Sequence, residues 1–288
     1  MKISKGFKSF IGISMIKIFT LIGVFIVFYL IGYIFVKGIS VINLDFLTKH
    51  PSNSMTEGGV LPAIVGSFYL TFLSVIIAII PGIATSIYLN EYANKGFLVD
   101  FIKVSINNLA SVPSVVYGLF GLGVFVNYFK FGVSLLSGAL TLSVVILPLI
   151  ISSTLEALKA IPNSLREASM ALGATKWYTI RNVLLPIALP SIITGIVLSL
   201  ARAAGETAPI LFTAAVFYMP ELPDSIFSEV MALPYHIYAL ISEGTHPEKQ
   251  VPIAYGSSLV LLGVVILLSG VAFYVREKSR RIYDKIGH

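Results

Sequence analysis

Arg202 and Glu206 stand four residues apart in Leu200-Ala201-Arg202-Ala203-Ala204-Gly205-Glu206-Thr207, inside a stretch that is otherwise apolar or small. A guanidinium offers five planar donors that match the oxygens of phosphate-like anions two at a time. A carboxylate beside it would hold the guanidinium in place and keep the site from trapping an anion too tightly. Each charge at the centre of a membrane helix costs about 2.5–3.5 kcal/mol, so the two should face a cavity, a partner or each other. Four apart on a helix they share a face, yet Arg preceding Glu is the weaker orientation for an intrahelical pair. Local helix support is a poor reason to keep two expensive charges, although a self-neutralising structural pair is the alternative.

Other chemistries find few residues to work with. The chain has no cysteine, which removes disulfides, thiolate metal sites and cysteine nucleophiles together. His50, His236, His246 and His288 are scattered singly, so neither a metal site nor a cofactor is expected. A membrane-embedded hydrolase would need a nucleophile with a base, or a metal cluster, and the apolar runs hold no histidine. A secondary transporter would need more intramembrane ionisable groups than Arg202 and Glu206. The G-x-x-x-x-G-K-[ST] phosphate loop is missing as well, so the chain is not expected to hydrolyse ATP.

The elements that must position Arg202 are membrane helices. Of 288 residues, 56% are hydrophobic and only 12% charged, with a mean hydropathy of +0.90, whereas soluble domains carry about 25% charged residues. A helix of roughly 20 residues crosses the hydrocarbon core. Six runs qualify: Ile18 to Val36, Val60 to Leu89, Leu109 to Phe129, Phe131 to Leu155, Val183 to Ala201 continuing past the two charges, and Ile253 to Val275. The first exceeds a signal-peptide core and no small-x-small site follows it, so it is expected to stay as an uncleaved span. Pro81-Gly82, Pro113 and Pro148 are kink candidates. Ala110, Ser111, Ser114, Gly118, Gly121 and Gly123 would let a helix approach closely.

Lysine and arginine set the orientation, because positive charge stays on the cytoplasmic side. With the N-terminus inside, 1–14, 90–108, 156–182 and 276–288 hold fourteen basic residues, against Lys37, Lys49, Lys130 and Lys249 outside. Both ends are therefore expected in the cytoplasm. The net charge of +6 becomes a topology signal facing membrane lipid, and no nucleic-acid partner is expected. The outer loop before the last span is acidic, with Glu221, Asp224, Glu229, Glu243 and Glu248. Lacking linkers or repeats, residues 1–288 read as a single transmembrane domain.

One cytoplasmic loop, 156–185, carries a pattern. Ser164 and Glu167 have the spacing of a capping box, and Gly173 suits the left-handed position past a helix end. The loop is expected to form a helix of about two turns that restarts near Thr175. Leu165, Ala168 and Leu172 give that helix an apolar face that needs cover, from the chain's own bundle or from a partner.

Glu167-Ala168 followed by Gly173, with Leu184-Leu185-Pro186 beyond, resembles the EAA loop of ABC importer permeases, whose short coupling helix docks in a cleft of the ATPase subunit. Gly59 to Gly66, Tyr88-Leu89-Asn90-Glu91-Tyr92, Asn107 to Gly118 and Gly205-Glu206-Thr207-Ala208-Pro209 resemble the PstA-type permeases of bacterial phosphate importers. Together these cover about 60 to 280. The sister PstC-type permeases share the loop but differ after Glu-Thr, where this chain has Ala208-Pro209, and permeases for sulfate or molybdate share the loop too. The resemblance implies an all-α membrane bundle of about six helices with a cytoplasmic coupling helix. It further implies a PstC-like second permease, two PstB-like ATPase subunits, a PstS-like extracytoplasmic phosphate-binding protein, and phosphate as cargo. Arg166, Glu167, Ala168 and Gly173 would serve ATPase coupling, and Arg202, Glu206 and Thr207 would line the substrate pathway. Counting from Pro186 along the helix places Arg202 in the outward part of that pathway.

Overall fold

Residues 5–94 and 96–286 are described in a computed structural model. Lys2 and Lys95, two of the residues counted for orientation, lie outside them. Helix α1 (Lys5–Gly38) is apolar and, from Gly12 onward, exposed to its surroundings. A short helix α2 (Leu44–Thr48) is capped by Asn43, whose side chain accepts from the Phe46 amide at 2.7 Å. A two-stranded hairpin follows, β1 (Pro51–Ser52) against β2 (Glu57–Gly58), with Asn53, Ser54 and Met55 all at positive φ.

The bundle proper begins with α3 (Leu61–Ile87), which continues through a wide π turn at Tyr88–Tyr92. Next come α4 (Phe97–Ser111) and α5 (Ser114–Gly121), the latter running on as a π segment over Leu122–Tyr128. Helix α6 (Leu135–Lys159) is the most buried. Beyond it lie α7 (Asn163–Ala171), α8 (Lys176–Thr179), a second π turn at Ile180–Leu184, and α9 (Leu185–Gly205). The chain then makes α10 (Ala208–Leu211), an irregular segment, α11 (Leu233–Ser242) and the long α12 (Pro247–Ile286).

Among the described residues, five helices are long and apolar enough to cross a membrane, and α4 with α5 makes a sixth crossing if that bent pair is one span. The expectation of an all-α polytopic bundle therefore holds, and three details change. The third run does not form one helix from Leu109: α4 and α5 meet at 102°. Pro113 has no amide proton to bond back into α4, and it disfavours helical backbone at Val112, which is extended at ψ 133°. The fourth span starts at Leu135 and not at Phe131. Lys130 and Gly132 adopt φ of 58° and 69° to turn the chain, and the Ser134 side chain caps the new helix at the Ser137 amide. Glu206 lies just past the end of α9, in extended backbone at ψ 128°. Pro209, in the first turn of α10, could not have donated to a continuing α9.

Packing centres on α3 and α6, which cross at glycine. A Cβ on Gly82 would lie 2.6 Å from Cγ2 of Ile150. Ser86 Oγ, four residues on, is shared between the carbonyls of Gly82 at 2.8 Å and Ile151 at 2.9 Å. Val75, Ala78, Ile146, Ile150 and Ala203 make the core where α9 joins this pair. Of the small residues of the third run, Gly118 faces α10, where a Cβ would meet the Ala208 carbonyl oxygen at 2.7 Å, and Gly121 faces Thr141 of α6. Gly123 faces nothing.

His236 on α11 is buried, 1% exposed, and neither ring nitrogen has a hydrogen-bond partner among the described residues. Burial lowers its pKa from 6.5 to about 4. The unfolded chain takes up a proton as the pH falls through about 6.5, while the buried ring resists until about 4. Stability is thus full above the upper value, falls between the two and levels off below the lower, a total loss of about 3 kcal/mol. Thermal unfolding of the detergent-solubilised protein should show this decline between pH 6.5 and 4. His236→Leu should flatten it.

Candidate functional site

Arg202 lies one turn before the end of α9, a helix long and apolar enough to cross a membrane, yet half of its side chain is exposed, 50%. Its Nε pairs with Glu206 Oε1 at 3.4 Å, and the carboxylate is the more buried partner at 15%. The expected pair therefore forms, but across the helix end and not along a helix face. The guanidinium borders a cleft of about 120 Å³ lined by Leu109, Val112, Ser114, Tyr117, Pro148 and Ser152, among others. Pro148 and Ser152 belong to α6, so the cleft sets Arg202 against the central part of that helix.

The break between α4 and α5 shapes the far wall of this cleft. The first amides of α5 have no intrahelical acceptor, and Ser114, its first residue, lines the cleft. Tyr117 secures the bend: its hydroxyl donates to the Leu109 carbonyl across the break at 2.5 Å. Thr207, the third expected pathway residue, precedes α10 and makes no side-chain capping bond. Sequence reasoning missed Ser114 and Tyr117 as cleft residues, having read them only as part of a motif and of a small-residue stripe. It missed Ser152 on α6 outright.

The second candidate region is α7. The expected capping box is not formed: α7 starts one residue before Ser164, directly after Pro162, and no side chain caps it. Proline in extended backbone already places the chain for the first turn, which leaves Ser164 inside the helix, too late to serve as cap. The other end matches expectation. Gly173 sits at φ 82°, the Ala174 amide bonds to the Ser169 carbonyl at 3.3 Å and that of Gly173 to Met170 at 2.9 Å, which is a Schellman closure. The helix restarts at Lys176, with Thr175 capping Tyr178.

Glu167 and Ala168 are exposed, and Leu165, Ala168, Leu172, Tyr178 and Val183 line an open groove of about 730 Å³. Leu172 is 90% exposed, so the chain's own bundle leaves this apolar face uncovered. Arg166 behaves differently from its neighbours. It turns inward, is 15% exposed and pairs with Glu91, 7% exposed, at 3.0 Å. Glu91 was not singled out from sequence, yet an acidic residue closing a span beside a basic loop is a signal that could have found it.

The family described as "Binding-protein-dependent transport system inner membrane component" matches residues 82–280, the region that holds both α7 and Arg202. The chain belongs to this family. Among its relatives, the permease is 35% identical over 268 residues to "Probable ABC transporter permease protein YqgI" of Bacillus subtilis (strain 168), covering 89% of this chain and 90% of that protein. It is 36% identical over 234 residues to "Phosphate transport system permease protein PstA" of Xylella fastidiosa (strain Temecula1 / ATCC 700964), covering 81% and 80%. Its fold resembles a chain of the bacterial alginate ABC transporter crystallised with an alginate pentasaccharide-bound periplasmic protein, with a TM-score of 0.61, 16% identity and 96% of each chain covered. The permease is a multi-pass membrane protein with the fold of an ABC importer subunit.

If Tyr117 holds the bent pair, Tyr117→Phe should lower stability by about 1 kcal/mol, the net worth of one hydrogen bond. A small fall in thermal midpoint with unchanged membrane insertion is the expected result.

Proposed function

We propose that the permease is the PstA-type half of an ATP-driven phosphate importer, with both termini and α7 in the cytoplasm. The observation that carries this reading is the half-exposed guanidinium of Arg202 in a cleft between apolar helices, engaged on its Nε edge by Glu206. An arginine held on one edge keeps its terminal nitrogens for a second oxyanion, and a planar fork suits phosphate. The phosphate-transport relative supports the choice of cargo. Glu206 positions the fork and weakens its hold, so that the anion leaves again. Thr207, the next residue in the chain, brings a hydroxyl to the same helix end.

In this reading the chain catalyses no reaction of its own. A PstC-like second permease completes the pathway, two PstB-like ATPase subunits hydrolyse ATP, and a PstS-like binding protein delivers phosphate on the outer side. The uncovered groove of α7, with Glu167, Ala168 and Gly173, is the ATPase docking face. Closure of the ATPase pair displaces α7 and switches the side from which Arg202 is reached.

Two experiments test the proposal. The chain has no cysteine, so single cysteines report sidedness: Ser225→Cys should react with an impermeant thiol reagent in intact cells, and Leu172→Cys only after permeabilisation. The reverse pattern overturns the orientation. For cargo, uptake of labelled phosphate should fall about tenfold or more in Arg202→Gln and less in Arg202→Lys, which keeps the charge but loses the fork. Arg202→Gln combined with Glu206→Gln removes both charges of the pair. If that double variant assembles and transports phosphate at the normal rate, the pair is a packing device.

A further inference from the structure

Helix α7 is barely attached to the bundle. Asn163, Ser164, Leu165, Glu167, Ala168 and Met170 are all exposed. Two side chains turn inward. Ser169 Oγ meets Thr179 Oγ1 at 2.9 Å, which ties α7 to α8. Arg166 makes the other attachment, and it is a dense one.

The guanidinium of Arg166 donates in three directions. Its Nε and Nη2 hold Glu91 Oε1 at 3.2 and 3.0 Å, with Oε2 at 3.4 Å from Nε. Nη2 also reaches the Leu158 carbonyl at 2.9 Å, and Nη1 the Ile161 carbonyl at 2.8 Å and Asn163 Oδ1 at 3.2 Å. Leu158 lies in the last turn of α6 and Ile161 just after it, where carbonyls lack intrahelical donors and attract a cation. Glu91 belongs to the π turn that ends α3, and Asn90 donates to the same carboxylate oxygen at 2.6 Å. One side chain of α7 therefore grips the ends of both α3 and α6.

Burying such a pair gains little stability, because desolvation of both charges offsets their attraction. What it supplies is geometry: a planar fork with every donor direction used has one seating. We propose that the Arg166–Glu91 pair is the positioning link through which displacement of α7 moves α3 and α6 together. This rests on the reading of α7 as the ATPase docking element. The Ser169 contact reaches α8 and only through it α9, whereas Arg166 bonds directly to the ends of α3 and α6, and the middle of α6 carries Pro148 and Ser152 at the cleft.

The test uses the assembled importer in proteoliposomes and reads phosphate transported per ATP hydrolysed. Glu91→Gln should co-purify with the ATPase and keep ATP hydrolysis, while transport per ATP falls roughly tenfold, because the fork that seats α7 loses its charged partner. Glu91→Asp should retain most of the coupling. A second variant, Glu91→Cys with Arg166→Cys, should be equally uncoupled and should recover when a bifunctional thiol reagent spans the two positions, then lose coupling again on reduction. An unchanged ratio in Glu91→Gln, or no recovery on cross-linking, overturns the link. Loss of ATPase co-purification in Glu91→Gln also overturns it, since the pair would then shape the docking face. If Glu91→Gln does not accumulate in the membrane, the cross-linking variant decides. A wild-type chain that fails to co-purify with any ATPase would instead refute the docking reading of α7.

Discussion

The contact between α3 and α6 organises the permease. In lipid there is no hydrophobic force to hold helices together, so association depends on close packing and on polar groups that find partners inside the bundle. Gly82 lets α6 approach to the point where a methyl group would strike Ile150. Ser86 then shares its hydroxyl between its own helix and the Ile151 carbonyl of α6. Both candidate regions are referred to this pair: α9 packs against it through Ala203, immediately beside Arg202, and Arg166 of α7 seats on its end.

Much of the architecture could be read from the chain alone, for a simple reason. Apolar runs of span length have few alternative fates, and five of the six emerged as continuous helices. The run around Val112-Pro113 failed because hydropathy measures length in residues and is blind to direction. Proline was flagged there as a kink, whereas the backbone turns by 102°. Local chemistry was equally uneven. Gly173 was legible because a left-handed position selects glycine, and the restart expected near Thr175 is where that residue caps Tyr178. The Ser164 capping box was a false signal, since Pro162 had already fixed where α7 begins.

The candidate site was legible only in its charges. Arg202 and Glu206 are conspicuous in apolar sequence, and their pairing follows from proximity along the chain. The rest of the cleft comes from Ser114 and Tyr117 on a bent segment and Ser152 on α6, residues too ordinary in type to announce themselves. Glu91 and Arg166 are separated by 75 positions, and no local pattern connects them. What joins them is the packing of α3 on α6, which brings two helix ends to within the span of one arginine.

The π turns at Tyr88–Tyr92 and Ile180–Leu184 sit at the ends of the two rods that flank α7. Each holds one residue more than an α-helical turn requires. An α-helix rotates about 100° per residue, so the surplus residue sets which way everything beyond it faces. Without the one in Tyr88–Tyr92, the lower end of α3 would present a different side to Arg166 while the apolar body of the helix stayed where it is. Insertion or loss of a single codon at these two places would thus re-aim the seat of α7 while sparing the apolar core. Relatives that differ in length by one residue at either turn would be the first place to look for importers whose motor and gate are geared differently.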